Sequence, residues 1–191
     1  TSLTGYPLGI QMLYALGFMA AGTVNDHVAG IYVALMALGM AGAVYLATRL
    51  MFSERAAWCA TILALSSPAL VDWATSGYVD VAEGFYHGLT FIFALLWLRQ
   101  GKMRDALLAG VMCGLSLWVK HSSLVLIPAL AVVPLLRFAV ETRFVETRYS
   151  ASLLQKFWRE ALLGIVALIA LSLIGFPWFA RSYLLGQTIF P

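Results

Sequence analysis

Two carboxylates stand close together in a chain that has few charged residues. Asp80 and Glu83 lie three positions apart in the segment 76–84, which reads Ser-Gly-Tyr-Val-Asp-Val-Ala-Glu-Gly and where a helix is expected to begin. At that spacing on a helix both side chains project from the same end. Such a pair can accept a proton from an attacking hydroxyl group or bind a metal ion. An N-cap Asp followed three residues later by Glu also resembles a capping box, so catalysis, metal binding and helix capping all stay open.

Three further residues could bind an anion. Lys120 and His121 occupy a short connection between two apolar runs, and Arg181 follows the aromatic segment 177–179, Pro-Trp-Phe. Cationic side chains of this kind bind phosphate groups, and together with the two carboxylates they form the set that a reaction on a phosphate-bearing substrate needs. His87 lies one helical turn after Glu83, where a single histidine is more often a packed polar residue.

The composition indicates that these residues are carried by membrane helices. Hydrophobic residues make up 62% of the chain and charged residues 11%, whereas soluble domains carry about 25% charge. The apolar residues arrive in long runs separated by short charged clusters, and the mean hydropathy is +0.88. The sequence therefore predicts an all-α fold, a polytopic transmembrane helical bundle.

The apolar runs predict the organisation of a single transmembrane domain over 1–191. Residues 1–27 are expected to end a first outer loop, with 6–22 forming an interfacial or short helix, and 180–191 are expected to begin another outer loop. The chain has no initiator Met and no leader pattern, so we expect it to be an incomplete piece of a longer chain. About six transmembrane helices are predicted between residues 28 and 179, at 28–48, 57–73, 84–98, 105–119, 122–138 and 161–179.

The basic residues predict which side of the membrane each connection faces. Ten of the twelve Lys and Arg residues fall on one side if the helices alternate, and the positive-inside rule makes that side cytoplasmic. The carboxylate pair, Lys120, His121 and Arg181 are then on or near the outer side. The ten residues are Arg49, Arg55, Arg99, Lys102, Arg104, Arg137, Arg143, Arg148, Lys156 and Arg159.

The length of one run predicts the depth of Lys120 and His121. The run 105–119 has fifteen residues, which as a helix would cover about 22 Å, less than the hydrocarbon core of about 30 Å. The pair should therefore lie below the outer membrane surface. A cation held there either extends towards lipid headgroups or binds an anion in a water-filled cavity.

The sequence disfavours nucleic-acid binding and a disulfide or metal site formed by the cysteines. The net charge of +3 could suggest nucleic-acid binding, but the basic residues lie in connections and form no stripe on a polar face. Cys59 and Cys113 both lie inside apolar runs without a pairing or metal-binding motif, so we expect them to be small packing residues. The sequence assigns no metal ligands and leaves open whether a divalent metal takes part as a cofactor.

Several segments, taken in order, carry a resemblance to a known family. The chain resembles the polyprenyl-phosphate-dependent membrane glycosyltransferases of the GT-C fold, in the bacterial branch related to protein O-mannosyltransferases and lipid A aminoarabinose transferases. The resemblance implies that the carboxylates Asp80 and Glu83 support catalysis and that Lys120 binds the donor phosphate. The segments are Tyr6-Pro7-Leu8, Ser66-Ser67-Pro68, Ser76 to Asp80, Gly110 to Lys120, and Pro177 to Arg181 with Gly186 and Phe190-Pro191.

The chain departs from the pattern of that family at two places. The acid that the family carries in its first outer loop has no counterpart, because the chain begins after the place where it should stand. In addition, Ser182 replaces the usual Asn after the Pro-Trp-x-x-Arg segment, and Gly186-Gln187-Thr188 replaces the usual Gly-Asn-Pro. We therefore expect the isolated piece to be inactive.

The resemblance implies a glycosyltransferase of the cell membrane, a multi-pass protein. It would move a sugar from a polyprenyl-phosphate donor to an acceptor lipid, glycan or protein at the outer face, either periplasmic or extracellular. Lys120, helped by His121 and Arg181, would neutralise the leaving phosphate. The partners expected are the lipid bilayer, the donor and the acceptor, with no nucleic acid. The alternatives are a transporter or binding protein for a lipid-linked substrate, and a noncatalytic membrane subunit.

Overall fold

The protein is helical throughout the part of the chain that the structure, a computed structural model, describes. That part comprises residues 7–143 and 150–184, and it contains no strand. The prediction of an all-α polytopic membrane bundle is confirmed. The helices are α1 (Gly9–Ala21), α2 (Asp26–Met51), α3 (Glu54–Leu65), α4 (Pro68–Ser76), α5 (Val79–Gln100), α6 (Met103–Leu117), α7 (Leu126–Arg143) and α8 (Ser150–Leu184), with a 3₁₀ helix at His121–Val125 before α7.

The lengths of the helices set how many can cross a membrane. Within the described residues, four stretches are long and apolar enough: α2, α5, 121–140 and 155–181. α3 and α4 meet at a bend of 60° and would make a fifth span if they cross together. Each predicted range from 28 to 179 contains helix, but α6 has only fifteen residues, so the division into six spans stays a prediction.

Local sequence explains where several helices begin and end. The side chains of Asn25 and Ser53 cap α2 and α3 by accepting hydrogen bonds from the His27 and Ala56 amides, at 2.9 and 3.2 Å. The first residue of α4 is a proline, which loses no hydrogen bond there. α4 ends at Gly77, whose φ of 74° is the left-handed conformation that glycine adopts without strain.

The start of α5 excludes one of the three roles left open for the two carboxylates. The residue before the helix is Tyr78, and no side chain caps it, so Asp80 is the second residue of the helix and forms no capping box with Glu83. Both acids still lie near the positive end of the helix dipole. Their side chains are therefore available for other partners.

Close helix contacts define two ends of the bundle. α6 and α8 run in the same direction, because Gly110 packs against Ala167 and Gly175 against Leu117. α2 and α5 also run parallel to each other, because Gly39 packs against Phe85 and Ala43 against Gly88. We call the end that carries Lys120 the site end, and the end that carries the connection 101–102 between α5 and α6 the basic end.

Small residues bring α6 and α8 together. A Cβ atom on Gly110 would overlap the Ala167 carbonyl oxygen, so the two backbones approach more closely than any other residue would allow. Cys113 is buried in the same contact, as predicted, whereas Cys59 is exposed on the outer surface of the bundle. The main buried cluster lies around this contact and contains Trp97, Ala106, Ala109, Cys113, Leu117, Leu130, Leu163, Ala167 and Leu171.

A buried ion pair joins three helices at the basic end. Arg137 of α7 and Glu160 of α8 lie with Nε and Oε2 3.0 Å apart, and their side chains are only 8% and 1% exposed. Arg137 Nη1 also donates to the last carbonyls of α5, at 3.0 Å to Trp97 and 2.6 Å to Leu98. Arg159 provides a second cation to Glu160 at 2.7 Å. The sequence had placed Arg137 among the charges of a cytoplasmic connection, but the structure buries it.

The predicted terminal segments are only partly covered. The segment 6–22 contains the short helix α1, one of the two forms expected for it. α8 continues to Leu184, beyond the boundary at 180 where an outer loop was expected to begin. Tyr6 and residues 185–191, which include Gly186 to Thr188 and Phe190-Pro191, lie outside the described residues, and so does Arg148.

Two glycine-to-alanine variants test the contact between α6 and α8. Gly110→Ala places a methyl group against the α8 backbone and should destabilise the bundle by about 1–3 kcal/mol, the usual effect of overpacking. Gly30→Ala makes the same chemical change where nothing lies within 4 Å, so it should be neutral or slightly stabilising. The midpoint temperature for loss of monodisperse protein in detergent measures both, and equal midpoints would contradict the close contact.

A second prediction concerns the buried ion pair. Glu160→Gln leaves the Arg137 charge without its acidic partner and should destabilise the bundle by about 3–5 kcal/mol. The double variant Arg137→Met/Glu160→Met removes both charges and should recover part of that loss. The same thermal assay compares the two. A double variant that is less stable than Glu160→Gln would show that the pair has no such buried role.

Candidate active site

The end of α6 folds back to place Lys120 beside α5. The Val119 and Lys120 amides bond to the Ser116 carbonyl oxygen at 3.0 and 3.1 Å, and the Ser123 amide bonds to the Lys120 carbonyl oxygen at 3.2 Å. These bonds close a compact segment, residues 120–125, which we call the lysine turn. The turn stands next to the first turns of α5, where the two acids lie.

Lys120 forms an ion pair with both acids. Its Nζ atom lies 2.6 Å from Asp80 Oδ1 and 3.6 Å from Glu83 Oε2. The side chains of Lys120 and Asp80 are 28% and 36% exposed, so this pair is accessible from outside the bundle. The hydrogen bond that Lys120 donates to Asp80 raises the pKa of Lys120 above its ordinary value. Lys120 is therefore charged at neutral pH, and on the alkaline side it loses its charge when the pH rises through that raised pKa.

Glu83 is held from the other side by hydroxyl groups. Its Oε1 atom accepts a short hydrogen bond from Ser122 and a longer one, at 3.4 Å, from Ser123. His87, one turn further along α5, places Nε2 3.0 Å from Ser123 Oγ and 3.7 Å from Glu83 Oε1. The Glu83 side chain is 11% exposed, so it is much less accessible than Asp80.

The remaining two predicted residues lie towards α8. The His121 ring packs against the Phe179 ring of α8, with centroids 6.2 Å apart. Arg181 lies two residues beyond Phe179, exposed in the last turns of α8. The structure thus gathers Asp80, Glu83 and Lys120 into one cluster, and it places His121 and Arg181 at the adjoining α8 side of the site end.

A small apolar cluster packs next to the site. Ile10 of α1, Ala82 of α5 and Val119 are buried together. Ala82 directly precedes Glu83 in the sequence, and Val119 directly precedes Lys120. α1 is tied to both flanks of the site, because the Gly9 amide donates to the Trp118 carbonyl oxygen at 2.8 Å and the Tyr14 hydroxyl to that of Gly77 at 3.2 Å. Helix α1, in the segment 6–22 that was predicted to form an interfacial or short helix, therefore helps to hold the site in place.

Ser122 and Ser123 were missed by the sequence analysis, and His87 was noted only as a neighbour. The only signal was local: two hydroxyl residues directly follow Lys120 and His121, and His87 stands four positions after Glu83. Neither signal says which acid these groups contact, because the contact joins positions about 40 residues apart.

The cluster does not have the form of a metal centre. Within residues 7–143 and 150–184 no group of three or more His, Cys, Asp or Glu side chains could hold a metal ion. The two carboxylates share an ammonium group instead. This arrangement offers N–H donors to an anion through Lys120 and a proton acceptor through Asp80, in the same accessible place.

Comparison with known proteins agrees with this chemistry. No curated protein and no solved structure gives a significant match to the chain. Residues 6–178, however, match the family model described as dolichyl-phosphate-mannose-protein mannosyltransferase, which confirms the resemblance stated from sequence. This is a family of membrane glycosyltransferases whose sugar donor is linked to a polyprenyl phosphate. A match over most of the chain shows that the chain belongs to the dolichyl-phosphate-mannose-protein mannosyltransferase family.

Proposed function

We propose that the protein transfers a sugar from a polyprenyl-phosphate donor to a hydroxyl group of an acceptor lipid, glycan or protein at the outer, periplasmic or extracellular, face of the cell membrane. The observation that carries the proposal is the accessible ion pair between Lys120 and Asp80, 2.6 Å apart at the site end. The opposite end carries most of the basic residues, which supports a cytoplasmic location for that end.

Lys120 binds the donor phosphate in this proposal. Its ammonium group has three N–H donors, of which one serves Asp80 Oδ1 and a second faces Glu83 Oε2 at 3.6 Å, so the third is available to a phosphate oxygen. When the bond between the anomeric carbon and the phosphate oxygen breaks, the electron pair stays on that oxygen. A fixed cation stabilises the charge that develops there.

Asp80 acts as the proton acceptor. Its Oδ1 atom is bound to Lys120, while Oδ2 makes no hydrogen bond to the described residues. As the acceptor hydroxyl oxygen attacks the anomeric carbon, its proton passes to this carboxylate, alone or together with the first-loop acid that the resemblance implies. General-base catalysis of this kind contributes about 10² to 10⁴ in rate.

His121 and Arg181 extend the positive charge of the site towards α8. His121 follows Lys120 in the lysine turn and its ring packs against Phe179 of α8, while Arg181 stands two residues further along the same helix. We propose that they contact the donor phosphate from that side. Glu83, predicted with Asp80 as a catalytic residue, has both oxygens in contact with neighbouring side chains, Oε1 with Ser122 and Oε2 with Lys120.

Removal of either partner of the central ion pair should stop the reaction. In the full-length protein, Asp80→Asn should lower kcat about 10² to 10⁴-fold by removing the proton acceptor. Lys120→Ala should lower it about 10² to 10³-fold by removing a donor to the leaving group. The assay follows labelled sugar from a polyprenyl-phosphate donor to the acceptor after reconstitution into vesicles.

Two variants control for the loss of charge alone. Asp72→Asn alters an exposed acid of α4, and Lys102→Ala an exposed base at the basic end; neither touches the cluster, and both should retain wild-type rates. Wild-type rates in Asp80→Asn and Lys120→Ala would overturn the proposal. Tight donor binding without transfer by the wild-type protein would favour the binding or transport alternative.

A further prediction separates the α8 side from the central pair. Arg181→Ala and His121→Ala should each raise the KM for the donor about tenfold or more, because a hydrogen bond to a charged group contributes about 1.5–3 kcal/mol. The kcat should change little, since the proton acceptor is intact. Unchanged KM in both variants would remove these residues from the donor site.

A further inference from the structure

The two acids of the site have different surroundings. Asp80 is partly exposed and bonds through one oxygen, whereas Glu83 is nearly buried and engages both. Oε1 of Glu83 faces Ser122 and Ser123, and Oε2 faces the Lys120 ammonium group. An acid whose oxygens are occupied in this way is better suited to hold a neighbour than to accept a proton from a substrate.

Ser123 connects Glu83 to a histidine. Its side chain is fully buried, and Oγ lies 3.0 Å from His87 Nε2, 3.1 Å from the Ser116 carbonyl oxygen and 3.4 Å from Glu83 Oε1. A hydroxyl group has one hydrogen to donate, and two of these neighbours are acceptors. The His87 tautomer that carries its proton on Nε2 fits this set, because it donates to Ser123 Oγ and leaves the Ser123 hydrogen for one of the two acceptors.

Three elements contribute the members of this set of contacts. His87 and Glu83 lie four residues apart on one face of α5, Ser122 and Ser123 belong to the lysine turn, and the Ser116 carbonyl oxygen ends α6. The chain of contacts therefore sets the orientation of Glu83 relative to the turn that carries Lys120. A four-carbon lysine side chain has many rotamers, and a second fixed carboxylate restricts them.

We propose that Ser122, Ser123 and His87 are positioning residues that act through Glu83, and that Glu83 in turn holds the Lys120 ammonium group where the donor phosphate binds. The inference rests on the proposed function and adds three residues and a role for Glu83 to it. The proton acceptor remains Asp80, and none of the three positioning residues touches the reacting atoms.

A double-variant cycle tests whether these residues act through Glu83. In the full-length protein Ser123→Ala should raise the donor KM and lower kcat/KM by about 10 to 10²-fold, as expected for a misplaced binding group. In a Glu83→Gln background the same Ser123→Ala change should have almost no further effect. Independent losses that multiply in the double variant would overturn the inference. If Glu83→Gln transfers too slowly to measure, the cycle is read from the Kd of the polyprenyl phosphate product.

Conservative variants and a matched control separate positioning from packing. Ser123→Thr and His87→Gln keep a hydroxyl group and an N–H donor and should recover most of the activity, whereas His87→Leu should not. Thr90→Val removes a buried hydroxyl group of α5 that donates to the Tyr86 carbonyl oxygen. This variant should leave the donor KM unchanged. A rise in the donor KM of Thr90→Val equal to that of Ser123→Ala would assign the effect to packing.

The outcome can be told apart from failure of the proposed function. If Asp80→Asn and Lys120→Ala abolish transfer while Ser123→Ala and His87→Leu behave as wild type, the proposed function stands and this inference fails. If Asp80→Asn and Lys120→Ala keep wild-type rates, the proposed function fails first. Thermal midpoints measured on every variant identify any that lose activity by unfolding.

Discussion

The length of α6 decides where the lysine turn lies. α6 has fifteen residues, covers about 22 Å, and runs against α8 through Gly110 without space for a side chain. α6 ends at Leu117, and the chain turns back there. Lys120 therefore lies beside the first turn of α5, and its ion pair with Asp80 depends on where α6 ends.

The bundle contains two ion-pair clusters with opposite properties. At the site end, Lys120 and Asp80 are each about a third exposed, whereas Arg137 and Glu160 at the basic end are almost completely buried. A buried pair cannot exchange a partner without leaving a charge uncompensated, so it serves to hold helices together. An exposed pair can share its cation with an incoming anion. The difference in burial supports a structural role for the basic-end cluster and a chemical role for the site-end cluster.

Two neighbouring helices, α5 and α7, connect these clusters. α5 carries Asp80 and Glu83 at one end and accepts the Arg137 hydrogen bonds at the other, while the chain from Lys120 to Arg137 runs beside it. The lysine turn leads directly into α7, so the segment formed by the turn and α7 is bound to α5 near both of its ends. Such anchoring suits a transferase, because catalysis by a fixed cation and a fixed carboxylate depends on their positions being set before the substrate binds.

Much of this protein follows from its sequence alone. The apolar runs determine a polytopic helical bundle, because each run must bury its backbone groups in helices within the membrane. The few charges outside the basic connections mark Asp80, Glu83 and Lys120, since a charge in an apolar setting needs a specific reason. Only the tertiary structure decides that Lys120 pairs with Asp80, that Glu83 is enclosed by Ser122 and Ser123, and that Arg137 is buried rather than exposed. The contacts of Lys120 with Asp80, of Ser122 with Glu83 and of Arg137 with the Trp97 carbonyl oxygen each join positions about 40 residues apart. Periodicity along the chain contains no information about which helix faces meet. The structure also decides against the alternative of a capping box, because Tyr78 precedes α5 without a side-chain cap and Asp80 pairs with Lys120 of the lysine turn.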